Sequence, residues 1–169
     1  MNVMTISFGL GDGLSIASST LVGQSLGAKR SDLAIIYGKV LQRIGLLMSI
    51  IMGIGIALFN TEIMYLFSKD ILVIEKGETI LLMLALVIQF QVNQVITMGC
   101  LRGAGDAKFV AFISLITITF IRPIGTYVLA YGVGLGLVGA WLSIYLDQIT
   151  RLLTSKYRFN QAEWMKIQV

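Results

Sequence analysis

Apolar residues run through this chain in long blocks, separated by short polar or glycine-rich stretches. Residues 44–59 and 109–121 contain no charged side chain at all. A helix needs about 20 predominantly apolar residues to cross a bilayer. Five segments fit that description: 3–26, 37–60, 79–101, 108–130 and 137–153. Strands of a membrane barrel would instead alternate apolar and polar residues over short segments. In lipid every backbone polar group must be satisfied within the structure, which leaves the helix. The pattern therefore predicts an all-α, polytopic transmembrane bundle over residues 1–155, followed by a tail over 156–169.

Composition sharpens this picture. Hydrophobic residues make up 56% of the chain and charged residues only 13%. Soluble domains carry about 25% charged residues, so lipid is the expected main solvent. A single cysteine, Cys100, excludes an internal disulfide and a cysteine-rich metal site. The absence of histidine removes histidine acid–base chemistry and histidine-bound metal. No enzyme, metal site or nucleic-acid partner is expected; lipid surrounds the chain. Residues 1–7 carry no Lys or Arg, so they do not read as a secretory signal.

Charge placement predicts orientation. Ten basic residues fall on one side of the predicted spans: Lys29, Arg30, Lys39, Arg43, Arg102, Lys108, Arg151, Lys156, Arg158 and Lys166. The other side has only Lys69 and Lys76, and Arg122 lies within a span. Basic residues mark the cytoplasmic side, so the C-terminus is expected inside and the N-terminus outside. One further helix upstream would give a six-span unit with both ends inside. The chain therefore reads as a fragment of a longer protein.

Polar residues within spans are costly in hydrocarbon and mark candidate sites. Asp12, Ser15, Ser19 and Gly23 share one face of the first helix by spacing. Asp12 suits a cation or proton site; the alternative is that Asp12 sits near the outer surface and the small residues let helices pack closely. The third helix holds four amides, Gln89 and Asn93 on one face, Gln91 and Gln94 on another. One pair is expected to line a cavity and the other to bond a neighbouring helix. Arg122 precedes Pro123, which removes a backbone hydrogen bond and kinks a helix. Arg122 and Asp147 each lie about twelve residues, roughly 18 Å, from the turn at Gly134, so a hairpin sets them at one depth. A structural ion pair is expected there, with Arg151 competing for Asp147 one turn on. In the turn 101–106, Gly103 suits a left-handed helix end and Asp106 a cap for the next helix. Trp164 and Tyr157 suit an interfacial anchor.

Several segments together resemble one family. Leu21-Val22-Gly23-Gln24-Ser25-Leu26-Gly27-Ala28, Leu101-Arg102-Gly103-Ala104-Gly105-Asp106 and Gly136-Leu137-Val138-Gly139-Ala140-Trp141, with Asp147 and Arg151 beyond, are similar to the eighth, tenth and twelfth helices of multidrug and toxic compound extrusion (MATE) transporters. The resemblance implies helices eight to twelve of a twelve-helix protein with two six-helix lobes, the N-terminal lobe and one preceding helix lying elsewhere. It also implies a secondary antiporter in a cell membrane, bacterial by expectation, exporting small-molecule organic cations and drugs in exchange for Na⁺ or H⁺. One departure concerns coupling: the family's tenth-helix acid falls at Gln91, which cannot take up a proton. Two alternatives stand beside this reading. A lipid-linked sugar flippase would line its cavity with basic residues, of which only Arg122 qualifies. A membrane scaffold would not need the amide-rich helix.

Overall fold

A computed structural model describes residues 3–67 and 69–166. Residues 167–169 of the predicted tail, and the side chains of Lys76 and Lys166, lie outside the described set. Every regular element among the described residues is helical. Helix α1 runs Val3–Gly27, α2 Ser31–Leu58, α3 Asn60–Phe67 and α4 Ile71–Gly103. A long rod follows, built from α5 (Ala107–Ile116), a π-helical turn (Thr117–Ile121), α6 (Arg122–Thr126) and a second π-helical turn (Tyr127–Gly132). Helix α7, Gly136–Gln161, and a short 3₁₀ turn, Glu163–Lys166, complete the chain.

Three segments are long and apolar enough to cross a membrane: Ser31–Leu58, Gly77–Gly103 and Ala107–Gly132. The sequence pattern predicts five. The other two, α1 and α7, have the length but are more polar, and much of that polarity is turned inward. Ser15, Ser18 and Ser25 of α1 and Ser143, Asp147 and Gln148 of α7 are buried. By contrast, α2 shows Leu47, Ile51, Ile54 and Leu58 to its surroundings, as a lipid-facing helix does.

Helix α4 is the centre of the bundle, packed against α1, α2 and α7. Its apolar residues Ile88, Val92 and Ile96 meet Leu41 of α2 in one core cluster. Leu81, Leu84, Ala85 and Val87 meet Ile56 and Trp141 in a second. The rod packs on α7. There is little hydrophobic drive between helices in lipid, so close packing and interhelical hydrogen bonds must hold them. The α1–α4 contact has that character. The two helices run parallel, with Gly11 beside Val92, Ser15 and Ser18 beside Gly99, and Ser19 beside Gly103. A Cβ on Gly99 would stand 2.5 Å from Ser15 O. Ser15 Oγ donates to Val95 O at 3.0 Å and Ser18 Oγ to Ile96 O at 3.1 Å, binding the helices directly. On the other side of α4, Tyr145 Oη donates to Met83 O at 2.5 Å.

Several local features differ from the sequence expectations. Helix α3 falls in a predicted connection; its eight residues are too short to register as a span. The left-handed residue ending α4 is Gly105, at φ 85°, not Gly103. Asp106 N bonds Leu101 O and Gly105 N bonds Arg102 O, a Schellman closure. Gly103 stays helical because its missing side chain is what admits Ser19. Asp106 starts α5 without capping it; its carboxylate instead accepts from Arg158 Nε at 2.8 Å. Pro123 does not break the rod sharply. The π turn before it, where Arg122 N reaches back to Thr117 O, widens the helix where the proline ring would crowd the preceding turn.

The tail is also less separate than predicted. Helix α7 continues to Gln161. Trp164 is fully buried rather than interfacial: it stacks on Phe159 at 5.2 Å and donates to Phe159 O at 2.8 Å. Both rings join Val22, Ala34, Cys100 and Leu101 in a core at the basic end of the bundle. A left-handed Ala162, φ 57°, turns the chain back to make this contact. Tyr157 is exposed.

Candidate functional site

The predicted polar stripe on α1 divides in two. Ser15 and Ser19 sit against α4, where their small size permits the close approach. Asp12 stands exposed at the edge of the same contact. Between the helices lies an open cleft of about 440 Å³, lined by Asp12, Ser15, Ile16, Ser19, Thr20 and Arg102. Arg102 enters it from α4 and donates from Nη2 to Ser15 Oγ at 2.9 Å. Ser15 lies about 18 Å along α1 from its end at Gly27, by the 1.5 Å rise per residue. A hydrocarbon layer about 30 Å thick that ended level with Gly27 would hold the cleft within it.

Arg102 is the residue that sequence reasoning missed as part of a site. It reads there as the cation favoured at a helix C-terminus. The available signal is geometric: helical side chains lean toward the N-terminus of their helix. Gly99 and Gly103, on either side of it, leave room for α1 and so bring Ser15 within its reach.

The four amides of α4 do not act as two equivalent pairs. Asn93 is buried and donates from Nδ2 to Gln89 O at 3.1 Å, within its own helix. Gln94 is buried and donates from Nε2 to Met98 Sδ at 2.8 Å, again within α4. Gln89 Nε2 lies close to Gly53 of α2. Gln91 differs from these: its Oε1 is buried and has no partner among the described residues. An unpaired carbonyl oxygen in such a site is an acceptor held free for a hydrogen-bond donor or a cation. No described amide of this group is seen to bond a neighbouring helix, and Gln89, Gln91 and Gln94 do not border the α1–α4 cleft.

A second charged cluster ties the rod to α7. Asp147 is completely buried and faces two arginines. Arg151 grips it with both arms, Nε to Oδ1 at 2.8 Å and Nη2 to Oδ2 at 2.6 Å. Arg122 Nη2 lies 3.2 Å from the same Oδ2. Arg122 is partly exposed, while Arg151 is largely enclosed. Around them Ser143 Oγ donates to Arg122 O at 2.7 Å, and Thr126 Oγ1 donates to Ser143 Oγ at 3.0 Å. Gly139 passes so close to Leu129 O that a Cβ there would stand 2.5 Å away. A buried carboxylate is tolerated only when paired in this way, so the cluster is a clamp between two helices.

A second cleft, about 310 Å³, is lined by Thr79, Ile80, Met83, Leu135, Leu137, Val138 and Trp141. It contains no charged side chain and gives no means of selecting a cation.

The chain matches known proteins over nearly its whole length. The MatE family model matches residues 1–128. The chain is 31% identical over 169 residues to the Probable multidrug resistance protein NorM of Thermotoga maritima, covering 98% of this chain and 36% of that protein. It is 33% identical over 172 residues to the protein of the same name in Pasteurella multocida, with 96% and 36% covered. It thus spans about a third of the length of the curated relatives it matches. Its fold superposes on the crystal structure of the eukaryotic MATE transporter AtDTX14 with a TM-score of 0.84 at 22% identity, over 96% of this chain and 37% of that one. These relatives are named as transporters and resistance proteins, not as enzymes. With a family model spanning both α1 and α4 and a matching helical fold, the chain is a multi-pass membrane protein that belongs to the MatE family.

Proposed function

We propose that this chain forms part of the substrate path of a secondary antiporter, which exports small organic cations, drugs among them, by alternating access in exchange for Na⁺ or H⁺. The observation that carries this reading is the α1–α4 cleft, where Asp12 is exposed about 14 Å along α1 from its start at Val3. A carboxylate facing lipid there would be costly, so the face implies water or protein opposite. In the assembled protein a second helical lobe supplies that opposite wall. Asp12 attracts the cation and Ile16 offers it apolar contact. The free Gln91 Oε1 is an acceptor for Na⁺, which a neutral amide can ligate without taking a proton. The basic ends of the helices and the C-terminus face the cytoplasm of a bacterial cell.

A lipid-linked sugar flippase remains the second reading, and one observation favours it. Arg102 reaches into the cleft, adding a second cation within the membrane beside Arg122. Ethidium efflux from whole cells expressing the full-length protein separates the two. Extrusion predicts efflux above that of cells lacking the protein. It also predicts a roughly tenfold fall with Asp12→Asn or Gln91→Ala, the change that about 1.4 kcal/mol of lost binding produces. A well-expressed protein with no efflux would favour the flippase. Unchanged rates in both variants would remove those residues from the path.

A further inference from the structure

A small basic pocket lies between α2 and α7, with α4 as its floor. It encloses about 170 Å³ and is lined by Lys39, Gln42, Arg43, Leu46, Asn93 and Lys156. Three cations converge on it from two helices. None of them has a carboxylate within 4.0 Å among the described residues, since the ion pairs there involve other arginines. Like charges brought together repel, the more so in low dielectric, so the arrangement is uncompensated as it stands. The amide of Gln42 adds an independent sign. Its Nε2 is buried and has no hydrogen-bond partner. A buried donor left unpaired costs free energy. Cations and a free N–H donor together are the complement of an oxyanion.

The surroundings say what kind of oxyanion fits. On α2, which carries Lys39 and Arg43, the residues Ile36, Val40, Leu47 and Ile51 are exposed. Leu46 forms part of the pocket wall itself. A ligand here therefore meets positive charge at one end and an apolar helix face beside it. Depth agrees. Lys39 and Arg43 lie about 3 and 9 Å inside the predicted span that starts at residue 37, and Lys156 about 8 Å from the end of α7. Long basic side chains carry their charges toward the interface from such positions. This is the side on which the sequence pattern puts ten of the thirteen basic residues. Basic pockets between helices on the cytoplasmic side suit anionic headgroups.

We propose that this pocket binds the phosphate of an anionic phospholipid, of the phosphatidylglycerol type, in the leaflet at the α2 N-terminus. Lys39, Arg43 and Lys156 neutralise the phosphate, and the Gln42 amide, turning toward the pocket, donates to one of its oxygens. The acyl chains lie along the apolar face of α2. The site is separate from the α1–α4 cleft and does not depend on the transport reading.

The test is a titration of the full-length protein in mild detergent, with bound lipid read by native mass spectrometry. Phosphatidylglycerol is compared with phosphatidylcholine of the same chains. The protein should prefer phosphatidylglycerol. Lys39→Gln with Arg43→Gln and Lys156→Gln should weaken that binding roughly a hundredfold, from about fivefold per basic residue, and leave phosphatidylcholine unchanged. The charge-keeping set Lys39→Arg, Arg43→Lys and Lys156→Arg should retain most of the affinity. Gln42→Leu alone should cost several-fold, and Lys108→Gln, at the same end of the bundle, nothing. Equal affinity for the two lipids would overturn the proposal, as would an equal loss with Lys108→Gln. Displacement of the lipid by inorganic phosphate at equal concentration would assign the pocket to a soluble anion and overturn the lipid assignment.

Discussion

Asp147→Leu is expected to destabilise the protein by about 3–5 kcal/mol, the cost of removing one partner from a buried ion pair. Asp147 is wholly enclosed and takes three contacts from two guanidinium groups. Without it Arg151, itself largely buried, is left facing Arg122 across the interface between the rod and α7. Replacing all three residues by apolar ones of similar size should recover most of the loss, because no charge is then stranded. A simple exchange, Arg122→Asp with Asp147→Arg, should not. It would set the new arginine one turn from Arg151, where like charges repel. Thermal unfolding in detergent can follow this through Trp141 and Trp164, both buried in the fold. Equal stability of wild type and Asp147→Leu would show that the pairing is not a clamp.

Gly103→Val should have the second largest effect, at about 3 kcal/mol, the upper end of the range for overpacking. A Cβ at this position would overlap the backbone oxygen of Ser19. Backbone cannot swing aside as a side-chain tip can, so α1 must move off α4. The Arg102–Ser15 and Ser15–Val95 hydrogen bonds would be lost with it. Gly55→Ala is the matched control. Nothing lies within 4 Å of its added Cβ, and alanine replaces glycine in mid-helix with a gain of about 0.5–1 kcal/mol. Unfolding measurements on the two variants should therefore move in opposite directions. A gain in both would mean that helix propensity, not the α1–α4 contact, sets the result.

These effects show which parts of the fold were legible in the sequence. The apolar blocks marked all the long helices, since lipid leaves a span few compositional options. The meeting of Arg122 and Asp147 could be counted from the turn at Gly134, because rise per residue fixes depth. Which arginine grips Asp147 more closely depends on side-chain reach, and that favours Arg151. In 103–105 the sequence offers two glycines for one left-handed position. Only the contact with Ser19 decides that Gly103 stays helical and Gly105 turns. Periodicity put the α4 amides on two faces, but it could not tell that Asn93 and Gln94 bond along their own helix. The amphipathic reading of Trp164 failed for a related reason. A left-handed residue, Ala162, folds the tail back onto the core, and nothing local in the sequence announces that turn.

If the α1 face beside Asp12 lines a path open to water, a thiol placed on it reacts from the aqueous phase. Ile16 and Ile51 provide a matched pair, since both are isoleucines 69% exposed on long helices. Ile16 borders the polar cleft; Ile51 stands among the apolar residues of α2. Each is changed to cysteine in the full-length protein, with Cys100→Ser, and labelled in cells with a membrane-impermeant thiol reagent. Ile16→Cys is expected to react, ethidium to slow its reaction, and Ile51→Cys to stay inert. If Ile16→Cys proves as unreactive as Ile51→Cys, the α1 face meets lipid and the proposed path does not run there.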